Sequence, residues 1–265
     1  MRRLKRHANY ELQLNVKTDD FIAPPRPAQR NWLINRALSE FAWDLESIHE
    51  IAARFVPGVE SLLSHENDSN SAPEPDDIME LWQLPIMQRM ADCVSASHGH
   101  VLEIGYGRGI SAEMIQKCGV KEHTIVECVP AIAQQCRDWA AENGFSVNVL
   151  EGRWEEVQSD MKKYDGIFFH TYPMDSEEYA EATRRSATLA EPFFPVAAKH
   201  LVSNGIFTYF SNEIDSLSRA HQRALFKEFK RISLEPLHGL DIPENVKDTW
   251  WIDQMMIVIA EGPRQ

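Results

Sequence analysis

The sequence predicts an α/β protein built on a doubly wound, mostly parallel sheet, and three observations predict it. From residue 99 onward, short apolar runs of strand character alternate with helical patterns, the signature of repeated βαβ units. The run Val101-Leu-Glu-Ile104 passes directly into Gly105-Tyr-Gly-Arg-Gly109, so three glycines occupy five positions at a strand end. An acidic residue, Glu127, closes the next apolar run 22 positions after Gly105. Glycines at such a turn let the backbone take left-handed angles and approach a ligand closely. The helix beyond adds unpaired N–H groups and a positive dipole end.

Taken in order, residues 1–23 are mixed and polar. Alternation at Tyr10, Leu12, Leu14 and Val16 allows a short strand, and Pro24-Pro25-Arg26-Pro27 interrupts any regular element. From Asn31 to about Arg54, Trp32, Leu33, Leu38, Phe41, Leu45, Ile48 and Ile51 recur at helical spacing, and Pro57-Gly58 ends or kinks that helix. His65–Asp77 is acidic, carries two prolines and has no large apolar residue, so it reads as a linker or loop. The domain reading is therefore residues 1–64 as a helical segment, 65–77 as an acidic linker and 78–265 as the main domain. A segment as small as 1–64 buries too little core to stand alone. It is expected to serve as a lid on the main domain or as the interface of a homodimer.

Ile78 to about Ala96 reads as a helix, with Asp76 or Asp77 as its cap. Strand 101–104 and the glycine turn follow, then a helix Ser111–Lys117, a strand His123–Glu127 and a helix Pro130–Asn143 ended by Gly144. Strands are expected at Ser146–Leu150 and Tyr164–Phe169. Glu177–Leu201 is a long helical stretch broken near Pro192 and Pro195, and Ser203–Gly205 turns into a strand Ile206–Phe210. Leu217–Phe229 is helical. Trp250–Ala260 is a final strand with no helix after it, which suits antiparallel insertion late in the sheet.

Composition narrows the chemistry. A charged fraction of 25% and a hydrophobic fraction of 43% are ordinary for a globular protein. No apolar run approaches the ~20 residues of a membrane helix, and no apolar segment follows the basic Met1–His7, so no membrane role and a cytoplasmic location are expected. Cys93, Cys118, Cys128 and Cys136 have no CxxC spacing, which suits reduced thiols better than disulfides or a metal site. A net charge of −13 disfavours nucleic acid and fits a small cationic or zwitterionic substrate.

Four stretches carry chemistry. The turn is G-x-G-x-G, not the G-x-G-x-x-G of dinucleotide folds, and Glu103 stands two positions before its first glycine. Glu127 is placed to accept hydrogen bonds from ribose hydroxyls, the alternative being a solvent-facing strand end. Leu150-Glu-Gly-Arg-Trp-Glu-Glu156 follows the third strand, where Arg153 offers a backbone contact and Trp154 either stacks on a ligand or packs in the core. His170-Thr-Tyr-Pro173 follows the fourth strand at the edge open sheets use for ligands. His170, with an ordinary pKa near ~6.5, is the general-base candidate there, against a purely structural role.

The pattern E-x-G-x-G-x-G at 103–109 resembles class I S-adenosylmethionine (SAM)-dependent methyltransferases, whose Rossmann-like sheet carries a late antiparallel strand. In that class the carboxylate equivalent to Glu103 organises the loop and, often through water, the amino end of the cofactor. Ile78-Met-Glu-Leu-Trp-Gln83, Val101-Leu-Glu-Ile-Gly-Tyr-Gly107, Ile125-Val-Glu-Cys128, Gly152-Arg-Trp-Glu-Glu156, Phe168-Phe-His-Thr-Tyr-Pro173, Phe207-Thr-Tyr209 and Asp253-Gln-Met255 resemble, in that order, the guanidinoacetate N-methyltransferases. The resemblance spans roughly residues 76–260. It implies SAM as cofactor, flanked by Met79 and Met87 and held by the loop Gly105, Tyr106, Gly107, Arg108, Gly109 and Ile110. It further implies Glu127 on the ribose, Cys128 and Val129 beside the adenine, and Arg153 and Trp154 closing that side. Trp82, Gln83, Ser211 and Asn212 would face the substrate, with His170 beside cofactor and acceptor as base and Tyr172 shaping the pocket.

The departures also inform. The family pairs the guanidinium with two carboxylates, and here those positions hold Gln83 and His170. A buried cation without an anionic partner costs several kcal/mol, so guanidinoacetate is not the expected substrate. The leading expectation is methyl transfer to another small nitrogen or oxygen nucleophile. Alternatives are a SAM-consuming enzyme that releases methylthioadenosine, a non-catalytic SAM-binding interaction protein, and, last, a nicotinamide oxidoreductase.

Overall fold

Seven strands form one sheet in the order β3-β2-β1-β4-β5-β7-β6. The computed structural model describes residues 81–174, 178, 182, 185–243, 250 and 252–264, all within a unit spanning Ser71–Gln265. The expected helical segment 1–64, the linker 65–77 and Met79 lie outside the described residues.

A 3-10 turn, Leu81–Gln83, leads into α1, Leu84–Ser95. The described helix thus starts later than Ile78, with Pro85 in its first turn, where a missing N–H costs no hydrogen bond. Then come β1 (His100–Ile104), α2 (Ile110–Lys117), β2 (Glu122–Glu127), α3 (Pro130–Asn143), β3 (Val147–Glu151) and β4 (Tyr164–Phe169). Gly144 closes α3 in the left-handed region, φ 67°. In the stretch read as a long broken helix, the part near its prolines is a 3-10 turn, Glu191–Phe193, followed by α4, Phe194–His200. β5 (Leu201–Tyr209), α5 (Arg219–Glu228), β6 (Phe229–His238) and β7 (Gln254–Pro263) complete the chain.

Two sequence expectations are corrected. Ser203–Gly205 belongs to β5 and is not a turn before it. The pairing of β4 with β5 shifts register between Tyr164 and Gly166, and Gly205 lies where a Cβ would stand 2.9 Å from Asp165 O. Glycine here marks a close backbone approach in an irregular ladder. The second correction is β6, which the sequence reading did not anticipate. It follows α5 without a loop and pairs antiparallel with β7 from Phe229↔Pro263 to His238↔Gln254.

β1 through β5 run parallel, and β7 enters antiparallel between β5 and β6. Alternation along β1 sends Leu102 and Ile104 to one face, where they join Phe169, Phe193, Phe207 and Tyr209. Val101 goes to the other face, among Ile86, Met87, Met90 and Phe168. The strand order reverses between β1 and β4, so a crevice opens beyond their carboxyl ends, where open α/β sheets bind ligands. Among the described residues, no helix is long and apolar enough to cross a membrane.

Candidate active site

The glycine turn folds against the ends of its neighbours. Gly105 has φ +90°, donates its N–H to Val126 O at 2.9 Å, and sits where a Cβ would lie 2.5 Å from His170 O. Only glycine fits there. Gly107 and Gly109 are also left-handed, and the Tyr106 phenol lies over Gly109, 2.6 Å from its notional Cβ. The Tyr106 ring packs with Trp139 at 5.7 Å and with Ala112, Ile125 and Cys136.

Glu127 is buried at the end of β2 and organises this turn. Its Oε2 accepts the N–H groups of Tyr106 (3.0 Å) and Gly107 (3.3 Å), and its Oε1 accepts that of Val129 (2.9 Å). A carboxylate has about four lone-pair directions, so three N–H donors leave room for an external hydroxyl. Glu103 faces inward. It is fully buried, accepts the Ser111 hydroxyl, and lies 3.0 Å from His123 Nε2 without hydrogen-bond alignment. His123 Nδ1 is 3.2 Å from Gln116 Nε2. Glu103 therefore ties α2 to β1 beneath the turn and does not border the crevice.

The crevice is a cleft of about 740 Å³, counting its solvent-open part. Of the predicted residues, Gly105, Glu127, Cys128, Arg153, Trp154 and Tyr172 line it. Trp154 does both things the sequence allowed: it walls the cleft and packs edge-on against Phe193 at 5.2 Å. Cys128 Sγ lies 3.7 Å from Met174 Sδ, and burial raises the Cys128 thiol pKa.

His170 sits beside the cleft. Its N–H bonds to Ile104 O at 3.1 Å, and its ring lies between Tyr172 (5.5 Å) and Phe210 (5.3 Å). Nε2 is enclosed with no hydrogen-bond partner. Burial lowers its pKa to about 4, where the sequence reading assumed an ordinary value. The imidazole is thus neutral near pH 7.

The remaining predicted residues are not drawn to the cleft wall. Met87 is fully buried in the α1 core, and Trp82 packs edge-on against Trp250 at 5.1 Å. Gln83, Ile110 and Val129 are half-buried and Arg108 is exposed. The Ser211 hydroxyl is engaged internally, donating to Met256 O at 2.9 Å and accepting the Glu213 N–H at 3.2 Å. Asn212 is exposed with φ +57°.

Sequence reasoning held Gly152 and Thr171 only as members of their stretches, and it missed Met174 and Glu178 in the cleft wall. It also missed a buried chain at the end of β5, in which Tyr209 Oη meets His221 Nε2 at 2.5 Å and His221 Nδ1 meets Glu213 Oε1 at 3.1 Å. No spacing rule links residues 12 or 8 positions apart across loops. Among the described residues, no group of three or more His, Cys, Asp or Glu could hold a metal ion.

The cleft suits a nucleoside: a carboxylate with spare acceptor capacity stands at one side, and sulfur and indole surfaces form the walls. A solved structure from Streptococcus mutans, assigned to the SAM-dependent methyltransferases, shares the fold, with a TM-score of 0.50 at 14% identity over 69% of this chain and 49% of that one. That likeness shows the fold, a Rossmann-like sheet of the kind class I SAM-dependent methyltransferases use. The family follows from a direct match: the family model described as guanidinoacetate N-methyltransferase matches residues 65–237, and the chain belongs to that family. Curated relatives include protein arginine N-methyltransferase 2 of Aspergillus oryzae, 26% identical over 130 residues, covering 46% of this chain and 31% of that protein. The protein of the same name from Yarrowia lipolytica is 25% identical over 176 residues, covering 61% and 34%. The chain thus spans about a third of the length of these relatives.

Proposed function

We propose that this enzyme methylates a nitrogen or oxygen nucleophile of a small molecule other than guanidinoacetate. The observation that carries the reading is His170. At the end of β4, where the family resemblance calls for an anionic side chain, the fold presents a neutral imidazole between two aromatic rings. A guanidinium placed there would lack its counter-charge and lose several kcal/mol of pairing.

Bound SAM supplies an activated sulfonium methyl, so the chain's own work is alignment and proton handling. Glu127, pinned by three backbone N–H groups, would grip the ribose without reorganising. Cys128 and Trp154 would border the base. A buried polar atom without a partner calls for an explanation, and in this reading the neutral His170 ring helps to orient the acceptor. Tyr172, exposed at the rim, shapes the acceptor side.

The relatives' names favour a second reading, with an arginine side chain of a protein as acceptor. One experiment separates the readings. Thermal unfolding is followed with adenosylhomocysteine, methylthioadenosine or NADH, and turnover of SAM is then assayed with small amines, phenols, guanidinoacetate and an arginine-rich peptide. Adenosylhomocysteine should stabilise the protein, by about 2.7 kcal/mol at a hundredfold excess over Kd, and should be the product with a small acceptor. Turnover with the peptide alone would favour the second reading, and methylthioadenosine as product would displace both. His170→Ala should cut turnover while sparing adenosylhomocysteine affinity; unchanged turnover removes His170 from the mechanism.

A further inference from the structure

The cleft contains an ion pair that the mechanism above does not use. Arg153 follows β3 and Glu178 lies beyond the segment after β4, so the two come from either side of β1 in the sheet, and both line the cleft. Glu178 Oε1 accepts from Arg153 Nη2, while its Oε2 accepts the Met174 N–H at 2.7 Å. One carboxylate therefore ties the β3 corner to the segment Thr171–Met174. The same segment is anchored at the β2 corner, where Met174 Sδ meets Cys128 Sγ. Three corners of the crevice are joined in this way, and every residue named borders the cleft.

We propose that Glu178 is a positioning residue for the nucleoside cofactor, acting through Arg153 and the Met174 amide to hold the cleft closed at its base end and slow cofactor release. The proposal rests on the reading of this cleft as the SAM site. Neither side chain of the pair is deeply buried, with 41% and 36% exposure. Solvent screening therefore limits the pair to about a two- to fivefold effect on an equilibrium.

The test measures adenosylhomocysteine affinity and dissociation rate on the full chain for wild type, Glu178→Gln, Arg153→Leu and the double variant. Glutamine keeps an acceptor for the Met174 amide and removes only the charge, and Arg153→Leu probes the pair from the other side. Each single change should raise Kd about two- to fivefold, mainly through faster dissociation. The double should be no weaker than the singles, since both remove one interaction. The wild-type advantage should shrink at 1 M NaCl. Wild-type affinity in both singles, or strictly additive losses in the double, overturns the proposal while leaving the cleft assignment intact. Failure of the wild-type protein to bind adenosylhomocysteine overturns the cleft assignment and this proposal together.

Discussion

A histidine ring that loses its water becomes a weaker base, and His170 shows the consequence. Its folded-state pKa of about 4 lies below the ordinary ~6.5 of an exposed ring. As pH falls, the unfolded chain binds the proton first. The stability associated with the neutral ring is fully present above ~6.5 and is lost as pH drops toward 4. Between pH 7 and pH 5 this should cost about 2 kcal/mol. Urea unfolding at the two pH values should show wild type losing that much more than His170→Gln; parallel losses would contradict the burial argument. The carboxylates show a related contrast. Glu103 and Glu127 are both acidic residues on central strands, yet one lies wholly inside and one borders the cleft. The register Glu103↔Ile125 puts both on one face of the sheet, so depth along the strand decides this: Glu127 ends β2 two residues beyond that level.

Helix α1 crosses the sheet where β4 carries no side chain. A Cβ on Gly166 would lie 2.0 Å from Val94 O, inside any permitted contact. Gly166→Ala should therefore push α1 off β4 and destabilise by about 3 kcal/mol or more, read as a lower urea midpoint with unchanged slope. A change under about 1 kcal/mol would mean the helix slides freely. The same helix reaches the sheet edge through Arg89, whose Nε and Nη2 donate to the two carboxylate oxygens of Glu235 in β6, at 2.8 and 2.6 Å. β6 was hard to read because it is an edge strand. Lys230, Arg231, Glu235 and Pro236 interrupt its apolar alternation, and such residues guard edges against stray pairing. Its strand character comes from β7, to which it pairs along its whole length.

At the scale of the molecule, the net charge of −13 sets a self-repulsion that salt should relieve. Raising NaCl from 20 to 200 mM, a change of about threefold in screening length, should raise the Tm of the ligand-free protein. A fall in Tm would indicate that local ion pairs outweigh the overall repulsion. The reversal of strand order between β1 and β4 then explains why chemistry collects in one place. It brings Gly105, Glu127, Trp154 and Tyr172 to one cleft from four separate strand ends.

Legible along the chain were the α/β class, the strand-turn-helix carrying the glycines, the carboxylate that closes β2, and the uncharged side chains at residues 83 and 170. Each of these is local: a period, a turn residue or a side-chain type within a few positions. Folding in three dimensions was needed to show that Glu103 faces His123 and Ser111, that Ser211 is consumed by β7, that His170 is held neutral, and that Glu178 meets Arg153. Those outcomes depend on which surfaces lose water and which donors meet across distant loops, and no spacing along one chain encodes either.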